Sequence, residues 1–308
     1  MPGSISPGTP KTEIEVQLQR RKSLHWLDYL ILAVIAAFVL VIAYQVSYVM
    51  KYNWQWGRIP NYVLRWDEET GAWVANFLLQ GVITTVRISI YASLLAVILG
   101  ALLGVARCAE NLAVRMLART YLEFLRNIPP VVVVFIFYFF LSQQLITVFG
   151  IEDWARAISQ RGDNAVLEFF FGDMLLFPSM VSGVIVLALF ESAFVGEIVR
   201  AGIQSVGRGQ REAARSIGMT WLDEMRFIVM PQAVRKVAPP LANQFISLIK
   251  DSSIVSLISV QELSYKTSEL ISSTHLIFEA WITTAGFYFL LCSGLSRLFS
   301  RLEGRLSR

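Results

Sequence analysis

The sequence predicts an all-α, polytopic membrane protein with about six transmembrane helices, and three observations predict it. Of 308 residues, 55% are apolar and only 16% are charged, whereas a soluble domain of ordinary composition carries about 25% charge. The apolar residues come in unbroken runs near the ~20 residues a helix needs to cross the hydrocarbon layer. These runs do not alternate and are about twice as long as a barrel strand, which argues against a transmembrane β-barrel.

The chain opens on MPGSISPGTP, a Pro/Gly/Ser-rich stretch that cannot build a core, so residues 1–26 are expected to form a tail. Tyr29 to Met50 is uncharged, and 27–50 is expected to be an accessory helix. It is too long for a signal peptide, and no small-residue cleavage site follows. The second run, Phe77 to Ala106, is interrupted only by Arg87. The third, Asn127 to Ile151, is uncharged, with its helix expected to start near Leu117. A fourth runs from Pro178 past Glu191 towards Val206. A fifth covers Val237 to Gln261 around Lys250 and Asp251, and the last runs from Ile277 to Leu298.

Lys and Arg set the orientation. With the N-terminus inside, the interior segments 1–26, 107–119, 200–236 and 297–308 hold 18 basic residues, and the exterior loops 50–76, 142–177 and 263–276 hold 6. Both termini are therefore expected in the cytoplasm. This asymmetry accounts for the net charge of +4 with no nucleic-acid partner. Cys108 and Cys292 lie towards the same side and read as packing thiols. His25 and His275 are isolated at membrane boundaries, so no metal site is expected.

One interior stretch stands out: QREAARSIGMTWLDEMRFIVMP, residues 210–231, with six charged residues. Glu212 to Ile217 favours helix, and Gly218 stands where a helix would end. Thr220 and Asp223 have capping-box spacing. A second helix then places Trp221, Met225, Ile228 and Val229 at helical spacing, with Pro231 expected to stop it. The small alanines of the first element admit a close neighbour, and the large groups of the second anchor it. Two uses remain open on these grounds: a docking surface, or an amphipathic loop on lipid headgroups.

The pattern Glu212-Ala213-Ala214, three residues, Gly218, nine residues, Ile228, two residues, Pro231 resembles the cytoplasmic loop of binding-protein-dependent, type I ABC importer permeases. Met230 replaces the usual leucine. YLEFLRNIPP, EIVRAGIQSV and FISLIKDSSIVSLISVQEL are similar to segments of the subfamily that imports polar amino acids, such as histidine, glutamine and general L-amino acid permeases. The resemblance covers residues 72–303, a five-helix permease core with coupling loop 208–232; helix 27–50 and exterior loop 142–177 lie outside or enlarge it. It implies that the hairpin docks into a separate ATPase, with Glu212 as polar contact, Ala213 and Ala214 as close-packing surface and Gly218 as the turn. It further implies two ABC ATPase subunits, a second permease subunit (a copy or a paralogue), an extracytoplasmic solute-binding protein and a bacterial inner-membrane location.

The chain has no G-x-x-x-x-G-K-[ST] loop and no nucleophile–base cluster. ATP and Mg are thus expected on the partner, with no cofactor or enzymatic activity in this chain. Charges within the membrane cost about 3 kcal/mol each and face protein or a water-filled cavity. Glu191, where the family often has a neutral residue, is read either as a contact for a substrate ammonium group or as half of an internal ion pair. Arg87 is read as meeting a substrate carboxylate, pairing with Glu191 or serving structure. Lys250 and Asp251 point about 100° apart on a helix and cannot share one site; they line the path or the subunit seam, or pair structurally. Glu197–Arg200 and Glu123–Arg126 have ion-pair spacing. Pro129, Pro130, Pro239 and Pro240 mark possible bends, and Pro240 alternatively opens a helix. The competing function is an ion-gradient-driven secondary transporter using Glu191, which leaves the hairpin without a task and lacks an evident inverted repeat.

Overall fold

Glycine decides how closely the central helices of this protein approach. The computed structural model describes residues 26–49, 51–69, 71–162 and 165–306; the expected tail, 1–26, lies outside the described residues except for Trp26, which opens the first helix. Helix α1, Trp26–Val49, belongs to a unit ending at Trp54, separate from the unit Gln55–Arg308. The α-helical part of α1 buries no residue. A helix apolar on every side and unburied by its own chain is suited to lipid.

The second unit begins with helical turns at Trp56–Arg58 and Ile59–Val63. A small antiparallel hairpin follows, β1 (Leu64–Asp67) on β2 (Ala72–Ala75), with Leu64 opposite Ala75. Then come α2 (Phe77–Ala106), α3 (Leu112–Asn127), α4 (Pro130–Val148), α5 (Ile151–Arg161), α6 (Ala165–Phe171), α7 (Phe177–Gln204) and α8 (Arg208–Ser216). Helix α9 occupies 221–251 and passes into a 3₁₀ segment at Ser252–Ile258, followed by α10 (Leu263–Thr274) and α11 (Ile277–Leu306). Among the described residues, five helices are long and apolar enough to cross a membrane: α1, α2, α4, α7 and α11. The expected fifth run, 237–261, is α-helical only to Asp251 and too polar to meet that standard.

The core is α2 against α7. Gly100 and Gly104 stand one turn apart on α2, where a Cβ would come within 2.5 Å of Val195 Cβ and 2.7 Å of the Gly196 carbonyl oxygen, respectively. Small residues at i and i+4 let two membrane helices touch through their backbones. Ile88, Ala92, Val186 and Leu187 extend the contact towards the 3₁₀ segment, and Val195, Val199, Met225 and Val229 extend it towards the charged hairpin. Buried Glu262 fastens α10: it accepts from the Tyr265 N–H at 2.9 Å, capping the helix, and from Tyr288 Oη at 2.8 Å and Thr85 Oγ1 at 3.3 Å.

The prolines behave differently from expectation in two places. Pro129 and Pro130 do divide the third run, into α3 and α4: Ile128 and Pro129 are extended, and Pro130 takes the first position of α4, where its missing N–H costs no bond. Pro231 does not stop its helix. The wider π-helical turn at Glu224–Val229 just ahead of it accommodates the missing N–H, and the chain stays helical to Asp251. Pro239 and Pro240 likewise lie inside that helix and do not open one.

Candidate functional site

The charged stretch folds as the local signals require. Helix α8 ends at Gly218, whose φ of +83° an L side chain would resist. The N–H groups of Gly218 and Met219 close onto the carbonyls of Arg215 at 3.0 Å and Ala214 at 3.2 Å. Thr220 caps the next helix, its Oγ1 accepting from the Asp223 N–H at 3.3 Å and donating to Asp223 Oδ2 at 2.6 Å. Met225 and Val229 are buried in one cluster with Ile203, Val206 and Ala233, which anchors the second arm to the end of α7.

A brace unread in the sequence joins the two arms. Glu224, fully buried, accepts from Arg211 Nε at 2.5 Å and from Arg215 Nε at 2.9 Å. Burial works to raise the Glu224 carboxyl, but the guanidiniums of Arg211 and Arg215 outweigh it and hold the group below its ordinary range. Arg211 and Arg215 sit at i, i+4 spacing, so α8 turns one basic edge inward and its Glu212 side outward.

That geometry sorts the expected docking residues. Glu212, Ala213 and Gly218 are exposed, Ile228 is half-buried and Pro231 is exposed on α9. Ala214 is the correction: it is buried within its own chain and is not part of the outward surface. Ile217, 78% exposed, and Leu222, 67% exposed, stand at the hairpin tip. An isolated apolar residue beside the helix-ending glycine was the available signal for Ile217.

The intramembrane charges divide into three places. Glu191, fully buried, takes a 2.6 Å hydrogen bond from Gln244 Nε2, and its Oε1 has no hydrogen-bond partner among the described residues. Asp251 is its acidic neighbour. The expected ion pair is therefore absent among the described residues; a neutral amide stands in its place. Lys250 lines a 490 Å³ groove with Asn243, Ser247, Ser293 and Arg297.

Arg87 meets neither Glu191 nor this groove. It donates to the carbonyls of Glu168 at 3.0 Å and Phe169 at 2.6 Å, where a cation complements the C-terminal end of α6. Tyr91 Oη donates to the next carbonyl, Phe170, at 3.1 Å. Gly172 makes room, since a Cβ there would lie 2.8 Å from Arg87 Nη1. Arg87→Met should leave these carbonyls without their partner. Trypsin cutting at Arg156 or Arg161 in intact membranes is expected to quicken about tenfold, a loss of ~1.4 kcal/mol of local stability; an unchanged rate would contradict the clasp.

Two further expectations meet the charged end of α7. Glu197 pairs with Arg200, as its spacing suggests, and also accepts from Arg107 at 2.8 Å. Glu123 pairs with Arg119 at 2.7 Å in place of Arg126, which leans instead towards Glu197 at 3.6 Å.

The family model described as "Binding-protein-dependent transport system inner membrane component" matches residues 96–308. A probable glutamine ABC transporter permease protein, GlnM of Bacillus subtilis, is 34% identical over 233 residues, covering 76% of this chain and 94% of its own. The glutamate/aspartate import permease protein GltK of Escherichia coli is 32% identical, covering 74% of this chain and 93% of its own. Among solved structures, an amino acid ABC transporter crystallised with histidines is 31% identical with a TM-score of 0.58, covering 74% of this chain and 94% of its own. The MetNI methionine ABC transporter shares the fold, with a TM-score of 0.55 at 14% identity, over 75% of this chain and 97% of its own.

Proposed function

The chain belongs to the family of binding-protein-dependent transport system inner membrane components, and from that premise we propose that it carries a polar amino acid across the membrane by alternating access, driven by a separate ATPase. The observation that carries the reading is the hairpin. A braced two-helix element, anchored by Met225 and Val229, presents Glu212, Ala213, Ile217 and Leu222 outward, on the side that the basic residues assign to the cytoplasm.

On this reading two ATPase subunits, holding ATP and Mg, grip the hairpins of two permease chains, and a solute-binding protein delivers substrate from outside. The amide-bonded Glu191, with Asp251 beside it, and Lys250 in its groove are the polar groups available to the path. The relatives named for glutamine, glutamate and aspartate support an amino acid as cargo. Moving a conformational equilibrium from 1:99 to 99:1 takes about 5.5 kcal/mol, so the joint must not slip.

Glu212→Lys reverses the charge of the outward contact, and Gly218→Pro forces φ near −65° where the turn needs +83°. Each is expected to lower uptake in proteoliposomes at least tenfold while the protein still inserts into the membrane. Wild-type uptake in both would sink the reading. Uptake that persists without ATP but fails when an ion gradient is collapsed would favour a secondary transporter instead.

A further inference from the structure

Helix α3 has three faces, and only one of them is covered by the chain. Ala118, Leu122 and Leu125 are buried against the core. Roughly a third of a turn round lie Leu117, 74% exposed, and Phe124, 54% exposed. On the remaining side, at i, i+4, i+8 and i+11, lie Arg115, Arg119, Glu123 and Arg126, all exposed. The helix has 16 residues and is about 24 Å long. It joins two helices that both qualify as spans, α2 and α4, so both its ends belong to one side of the membrane. A helix held there with one apolar exposed face and one basic face is built for the boundary between acyl chains and headgroups.

The basic face is unevenly compensated. Arg119 is matched by Glu123 at 2.7 Å. Arg115 donates to the Ala109 carbonyl at 3.2 Å. Arg126 has no hydrogen bond among the described residues; its contact with Glu197, 3.6 Å, is too long for one. Glu197 is already taken by Arg107 at 2.8 Å and by Arg200 Nε at 3.0 Å. Three guanidiniums therefore share one carboxylate. Their excess positive charge sits at the end of α3 next to Pro130, where the chain turns into its next span.

We propose that α3 is an anionic-lipid site, in which Arg126, backed by Arg107 and Arg200, binds the phosphate of an acidic phospholipid headgroup while Leu117 and Phe124 lie among the acyl chains. Guanidinium matches phosphate geometrically as well as by charge, and the exposed apolar face favours a lipid over a free anion. The site stands on the charged face opposite the apolar one and needs nothing from the hairpin.

The full-length protein can be tested by native mass spectrometry from mixed micelles of phosphatidylglycerol and phosphatidylcholine. Arg126→Gln is expected to reduce retained phosphatidylglycerol about fivefold, the weight of one basic residue near an anionic surface, with phosphatidylcholine unchanged. Arg119→Gln removes the same charge from the same face, but from a residue whose guanidinium is already paired, and is expected to change retention less than twofold. Equal losses in the two variants would reduce the effect to bulk charge and overturn the site, as would an unchanged preference in Arg126→Gln. Displacement of the lipid by 20 mM inorganic phosphate would make the ligand a free anion and would also overturn the proposal. Protection of Arg126 from phenylglyoxal by the partner ATPase, but not by phosphatidylglycerol, would assign the face to a protein contact and count equally against it.

Discussion

Glu224→Ala is expected to uncouple the hairpin: ATP-driven uptake should fall more than tenfold although the protein inserts and its membrane helices remain folded. The substitution removes the carboxylate that ties Arg211 and Arg215 of α8 to the start of α9, leaving the Gln232–Gln210 hydrogen bond between the two helices. Hydrogen bonds to charged groups contribute about 1.5–3 kcal/mol each at best, and both arginines can partly rehydrate, so the local loss is expected near 2 kcal/mol. The reverse experiment is harsher. Arg211→Ala with Arg215→Ala leaves a fully buried carboxylate with neither partner, and an uncompensated buried charge is worse than a vacant one. The double variant should therefore lose more hairpin stability than Glu224→Ala, as read by hydrogen exchange of 208–229. The opposite ranking would mean that the brace is incidental.

The same carboxyl gives the hairpin an acid limb. Its pKa is lowered on folding from the ordinary value of 4.5, so the unfolded hairpin binds the proton more readily. The stabilisation from Glu224 is fully present above about pH 5 and is lost as pH falls through the lowered value. Glu224→Gln should flatten this dependence below pH 4.5, and the arginine pair fixes its sign.

Gly104→Leu is the second large effect, and it falls on the fold. A Cβ at this position would stand 2.7 Å from the Gly196 carbonyl oxygen, and also 2.7 Å from Val199 Cβ. A backbone carbonyl in a packed helix cannot step aside as a long side chain can. Overpacking costs of about 3 kcal/mol are expected, with little folded protein recovered in detergent. Gly294→Leu serves as the comparison, since nothing lies within 4 Å of a Cβ there. A monodisperse, thermally normal Gly104→Leu protein would refute the close α2–α7 contact.

What could be read in advance was whatever depends on a few neighbours in sequence. The ending at Gly218, the cap at Thr220 and the pairing of Glu197 with Arg200 are short-range consequences of backbone geometry. What was missed depended on distant residues. The carbonyls Arg87 clasps are 81 and 82 residues away, so a structural role was among its readings but its partner was not visible. Ala213 and Ala214 look interchangeable as letters, yet a 100° step sends one outward and the other against its own chain. Pro231 reads as a stop until the π-helical turn before it is known. Arg126 had a carboxylate at good spacing, but Glu123 chose Arg119.

The glycine contact has a consequence for motion. Where backbones touch with no side chain between them, neither helix can slide along or rotate against the other without driving Val195 or Val199 into the main chain of its neighbour. Helices α2 and α7 thus form one stiff girder. Any change of shape that carries a solute past them has to be absorbed by the looser joints: the widened turn entering α9, its paired prolines and the tightened coil at Ser252–Ile258.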